Sequence, residues 1–178
     1  VNTDDLTSIL TSLTTIQANI SSDSDVIALK SSLILNIENI ITSNLSAYPV
    51  SNPTISLTDT VTIFVNEVEA EDSNANDNLV TNLTQIYGPS ILVPPATELT
   101  NIQNDLASPL LFPAYVVAVQ QELISEIVNA IEIQIADYSH TLELTTQVTA
   151  LLGESTPDLE AFANSLFITF NASVTPAD

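Results

Sequence analysis

The sequence predicts an all-α protein, a single-domain bundle of about six or seven amphipathic helices spanning residues 1–178. Three observations carry that reading. Apolar residues recur at steps of three and four along most of the chain. The stretches so marked are separated by Ser, Asn, Pro and Gly of the kind that start and stop helices. Hydrophobic residues make up 45% of the chain but aromatics only 5%, and Trp and Met are absent, so a packed interior must be built from Leu, Ile, Val and Ala.

The first stripe is Leu6, Ile9, Leu13, Ile16 and Ile20, with Thr3, Asp4 and Asp5 at the start, where acids favour the helix dipole. Ser22–Ser24 interrupts it and offers an N-cap. A second helix carries Val26, Leu29, Leu33, Ile37, Ile40 and Ile41 and ends near Ala47, ahead of Tyr48-Pro49. After the loop Ser51-Asn52-Pro53, Ser56-Leu57-Thr58-Asp59 resembles a capping box with Asp in the Glu position. Leu57, Val61, Phe64, Val65 and Val68 continue at helical spacing, although the run Thr60–Val65 is rich in β-branched residues and also suits a strand.

Glu69 to Asn78 reads as an acidic loop. Leu79, Val80, Leu83, Ile86 and Tyr87 form a short helix closed by Gly88-Pro89. Ser90 to Pro95 is expected to be extended, and Glu98 to Ala107 to be a short helix stopped by Ser108-Pro109. The longest helix starts at Pro113, a good first-turn residue. Its stripe is Val116, Val119, Leu123, Ile127, Ile131, Ile135 and Tyr138, widened by Val117, Ile124, Val128 and Ile133. Leu142 to Leu152 continues or restarts the helix, with Gly153 as its C-cap. A last helix opens at Ser155 or Thr156 with Pro157 in first position and bears Leu159, Phe162, Ala163, Leu166 and Phe170. Ile, Val and Thr are mediocre helix formers, so tertiary burial must supply most of the stability of this single aliphatic core.

Charge removes whole classes of function. The chain holds 22 Asp and Glu, no Arg and one Lys, Lys30, for a net charge of −21. Nucleic-acid binding depends on Lys and Arg neutralising phosphates, and anionic lipid surfaces attract the same residues. Neither partner is expected. Only 13% of residues are charged, so the polar surface is mainly Ser, Thr, Asn and Gln, which suits an extracellular setting and leaves trypsin-like proteases one basic site.

The positive mean hydropathy of +0.31 points to glycan cover, self-association or apolar surface used in binding. There are no cysteines. A start at Val1 without an apolar leader fits a mature secreted product, and no stretch approaches the ~18 apolar residues of a transmembrane span. Glycosylation is expected among four sequons, at Asn19, Asn44, Asn82 and Asn171; Pro53 blocks the Asn52 triplet.

Catalytic chemistry finds little to stand on. The single histidine, His140, lies in a polar run with no nucleophile motif beside it, and a Cys nucleophile is impossible. The two glycines, Gly88 and Gly153, are isolated at helix ends, so no phosphate-binding loop is present. Carboxylate pairs are expected to be a solvated acidic face. Asp72-Ser73-Asn74-Ala75-Asn76-Asp77 begins like a calcium loop, but Asp77 takes the glycine position and Leu83 falls where the bidentate Glu belongs. The sequence therefore predicts no catalytic residue, no metal site and no cofactor.

A helix apolar over so much of its circumference is central in a bundle or lines a cavity. In the second case an aliphatic lining suits fatty chains. The residues expected to hold a fatty acid or other apolar ligand are Val116, Val119, Leu123, Ile127, Ile131 and Ile135, with Phe162 and Phe170 opposite. Lys30 is the only basic partner for a carboxylate, so Gln120 or Gln121 would have to serve.

The two ends of the chain resemble a family. Asp5-Leu6 through Ile9, Leu13 and Ile16 is similar to the first helix of the fungal hydrophobic-surface-binding proteins, also described as cell-wall galactomannoproteins. Thr156-Pro157-Asp158-Leu159 with Phe162-Ala163 and Leu166 is similar to their last helix. The resemblance covers about a quarter of the chain. It implies a secreted helical bundle that adsorbs to hydrophobic surfaces and holds fatty acids between helices. Members carry more lysine and alanine, and Ser51 to Pro113 has no counterpart in them.

The expected function is therefore a secreted, non-catalytic helical protein, cell-wall associated in the family reading, that binds lipids or adsorbs to hydrophobic surfaces. The rival is a structural subunit of an extracellular fibre, wall or matrix. Its self-association would increase from pH 7 toward the pI of about 4.1, as negative charge is lost.

Overall fold

A computed structural model describes the backbone of residues 3–134, 141–153 and 161, and the side chains of 7–133, 144–153 and 161. Every regular element among them is helical, as expected for an all-α bundle. The α-helices are α1 (Thr3–Asn19), α2 (Ser24–Asn44), α3 (Leu57–Glu69), α4 (Ala75–Tyr87), α5 (Thr97–Leu106), α6 (Phe112–Gln134) and α7 (Thr141–Leu152). Two 3₁₀ turns accompany them, at Ile20–Ser22 and Pro89–Leu92. The helix expected after Ser155 lies outside the described residues.

Local chemistry sets the helix starts. Within Ser22–Ser24 the cap is Asp23, whose Oδ1 accepts from the Asp25 and Val26 amides at 2.8 and 3.2 Å. Ser56 Oγ accepts from the Asp59 amide at 3.1 Å and opens α3. The β-branched run Thr60–Val65 is helical, because Val61, Phe64 and Val65 lie on one side of α3 and are buried there. Burial outweighs a weak propensity.

Two expectations are corrected between Glu69 and Pro95. The acidic loop is shorter than read, since α4 begins at Ala75 and not near Leu79. Asp72 Oδ1 receives the Asn74 amide at 2.9 Å, a turn that leads straight into the helix, and Ala75 is buried. The segment Ser90–Pro95 is not simply extended. Gly88, at φ +88°, ends α4, and a 3₁₀ turn follows that buries Ile91.

The chain packs into two compact units, Val1–Ile27 with Ala118–Asp178, and Ala28–Val117. The divisions fall inside α2 and inside α6. The Ala28–Val117 unit has a core of Leu33, Ile37, Ile41 and Leu45 from α2 with residues of α3, α4, α5 and their connections, among them Val61, Phe64, Leu83, Ile86, Ile91 and Ile102. Phe112 meets Phe64 edge-on with ring centroids 5.8 Å apart. The other unit buries Ile9 and Leu13 of α1 with Ile127, Val128 and Ile131 of α6 and Leu144, Val148 and Leu151 of α7. The single aliphatic core expected from the sequence is thus two aliphatic clusters, because α6 packs Phe112 and Tyr115 on the first and Ile127, Val128 and Ile131 on the second, whereas α2 contributes only to the first.

The helical run Thr7–Asn44 is, by length and composition, long and apolar enough to cross a membrane. Counting uninterrupted apolar residues overlooks it, because neutral Ser and Thr break the run while lowering its hydropathy only a little. Leu33, Ile37 and Ile41 within it belong to a protein core, while only 22% of the qualifying window is buried.

Candidate functional site

The residues proposed from sequence to line a cavity on the longest helix do not share one environment. Ile127 and Ile131 are fully buried among Ile9, Leu13, Leu144, Val148 and Leu151, and Leu123 is half-buried against the same cluster. They belong to a buried aliphatic cluster. Val119 is half-buried. Val116, in the Ala28–Val117 unit, is 50% exposed. Ile135, Phe162 and Phe170 lie outside the described residues, as does His140.

What the start of α6 builds instead is a helix apolar on both sides. On the inner side Leu111 is buried, and Phe112 and Tyr115 pack partly buried against the core. On the outer side Leu110 is 82% exposed and Val117 52%, with Pro113, Ala114 and Val116 exposed alongside. Pro113, Ala114 and Val117, at steps of one and three, share one face of the helix, and the exposed Leu110 lies in the turn just before it. Leu110 sits in the turn before the helix, held by the Leu110 amide on Ser108 Oγ and the Leu111 amide on the Ser108 carbonyl. No Asp, Glu, Lys or Arg occurs from Leu106 to Gln121, in a chain of net charge −21. Leu92 and Val93 add further exposed apolar surface in the same unit.

A second feature was not legible as a site in the sequence. In the unit that contains α1, carboxylate oxygens of Asp23, Glu122 and Glu126 lie within 4.8 Å of one another, all three residues half-buried. Glu122 and Glu126 are one helical turn apart on α6, and Asp23 is the cap of α2. Loss of hydration raises the Glu122 carboxyl above the usual glutamate value, and the charges of Asp25, Asp23 and Glu126 and a hydrogen bond with Asp25 add to the rise. Next to this cluster is an open pocket of about 260 Å³, lined by Thr15, Ile16, Asn19, Ile20, Ser22, Asp23 and Glu126. Oxygen donors of this kind can share a hard divalent cation or a proton. The i, i+4 pair was visible in sequence; its meeting with Asp23, about a hundred residues away, was not.

The calcium-loop look-alike is a plain loop and helix start, since Ala75, Asn76 and Asp77 are the first turn of α4. Lys30 is engaged. Its Nζ lies 3.2 Å from Glu69 Oε1 and donates to Asn66 Oδ1 at 2.6 Å. Comparisons with family models, with curated proteins and with solved structures find no match to this chain.

Proposed function

We propose that this is a secreted, non-catalytic helical protein that adsorbs to apolar surfaces, lipid among them, through the outer face of the first turns of α6. The observation that carries the reading is the uncharged, doubly apolar stretch around Leu110, Pro113, Ala114, Val116 and Val117. A helix apolar all round is normally buried, and its exposed half is the surface that gains most from leaving water, at roughly 25 cal/mol per Å². The engaged Lys30 supports recognition by apolar area over capture of an anionic head group. Kinship with the fungal hydrophobic-surface-binding proteins, suggested by the terminal helices, belongs to the same proposal.

The test is adsorption from buffer at pH 7 to a methyl-terminated surface, followed on a quartz microbalance. The parent chain should adsorb, and the double variant L110S/V117S should bind several-fold more weakly while keeping its helical circular dichroism. Equal adsorption by both would remove this face from the reading. A parent that ignores the surface and forms ladders of oligomers, increasingly so toward pH 4, would favour the structural subunit instead.

A further inference from the structure

We propose that Asn19 is the residue among the described sequons that carries an N-linked glycan, with the first sugar seated over the adjacent pocket. This rests on the secretion part of the function proposed above.

The three described acceptors differ sharply in what a sugar would meet. Asn44 is half-buried, and its Nδ2 already donates to the Ile40 carbonyl at 2.9 Å and to Asp105 Oδ2 at 3.3 Å. A glycosidic bond replaces one of those two N–H groups, so one partner is lost. Asn82 is half-buried in the middle of α4, next in sequence to the fully buried Leu83. Asn19 is exposed, at the residue where α1 gives way to the 3₁₀ turn, with φ −110° and ψ 6° and no capping hydrogen bond from its side chain. Ser21, the third residue of its sequon, is exposed as well.

Space and chemistry beside Asn19 agree. It lines the 260 Å³ pocket, where Ile16 and Ile20 offer apolar surface and Asp23 and Glu126 offer carboxylate oxygens. Ionised carboxylates only accept hydrogen bonds, so Glu126 and the lone pairs that Asp23 does not use on the Asp25 and Val26 amides can receive sugar hydroxyls.

The reaction is transfer from a polyisoprenyl-pyrophosphate-linked oligosaccharide. Asn19 Nδ2 forms a bond to the anomeric carbon and loses one proton, the bond from that carbon to the phosphate oxygen breaks, and the lipid pyrophosphate leaves with the electron pair.

The full chain would be secreted from a yeast host behind a supplied leader. Deglycosylation by an amidase in heavy-oxygen water then converts each glycosylated Asn to labelled Asp. Peptides would be made with an acid-directed protease, because Lys30 gives trypsin one site. Label at Asn19 and not at Asn44 or Asn82, kept in S21T and lost in S21A, is the expected result. Label at Asn44 or Asn82 with Asn19 bare, or no label at any of the three, overturns the assignment. Native material is the separate control. Bare Asn19 in an intracellular native protein, with the secreted recombinant chain labelled, sinks the secretion reading and upholds Asn19 as acceptor. Bare Asn19 in a native protein recovered outside the cell overturns the acceptor itself.

Discussion

Lys30 Nζ stands 3.2 Å from Glu69 Oε1, so the one basic side chain of a chain with 22 acids is tied to α3. Tyr115 Oη donates to the same Glu69 oxygen at 3.4 Å. Both partners of the ion pair are substantially exposed to water, and pairs of that kind contribute little. Replacing Lys30 by Met should cost no more than about 1 kcal/mol in urea unfolding, and less in high salt. A larger loss would mean that the pair organises the unit beyond its own contact.

Tyr115 gives a pH signature. Burial, and then the Glu69 charge and hydrogen bond, raise its phenol above the ordinary value of 10.0. Because the folded value is the higher one, this contribution to stability is complete below pH 10 and is lost as pH rises through the folded value. Tyr115→Phe should therefore be within about 1 kcal/mol of the parent at pH 7 and flatten the alkaline loss of stability. An ultraviolet titration of the phenols, parent against variant, should show the missing step above pH 10.

The acidic cluster works in the opposite range. Glu122 has a raised folded value, so its protonated form is favoured by folding. That stabilisation is full below the ordinary glutamate range and disappears as pH climbs through the folded value. Glu122→Gln should raise the Tm at pH 7 by about 1–2 °C and give no advantage near pH 3. Asp23→Asn, which keeps a capping oxygen, should act in the same direction, whereas Asp23→Ala loses the cap and should cost about 1 kcal/mol against Asp23→Asn. Identical pH profiles for parent and E122Q would discount the cluster.

Each aliphatic cluster should respond to truncation of its own fully buried side chains. Ile37→Ala in one and Ile131→Ala in the other should each lower stability by about 2–5 kcal/mol. A loss below about 1 kcal/mol for Ile131→Ala would show that its surroundings collapse or are not filled, and would revive the ligand-holding reading of α6.

Ala96 precedes α5 at φ +49°, a left-handed conformation that costs a residue with a Cβ. Ala96→Gly should thus be neutral or stabilising by up to about 1 kcal/mol, the reverse of what glycine does inside a helix. Thermal melts of the two proteins decide it.

Much of this fold was open to sequence reasoning. The steps of three and four located most of the described helices, Ser22–Ser24 and Ser56 marked starts, and Gly88 and Gly153 marked ends. Less visible was Ala75 as the start of α4, since one small apolar residue gives no period. The turn at Pro89–Leu92 was missed for a related reason: its one buried side chain, Ile91, defines no pattern.

Sequence alone determined the helical class, the aliphatic interior and the scarcity of basic groups, because periodicity and composition are properties of the chain. Only tertiary structure decided which stretch of α6 is core and which is surface. The stripe from Val116 to Ile131 looks uniform when written out, yet Ile127 and Ile131 have α1 and α7 to bury them and Val116 remains half in water. Burial belongs to a residue's neighbours, as does the raised Glu122 carboxyl, which follows first from loss of hydration and then from the charges of Asp25 and Asp23 that the fold alone brings beside it.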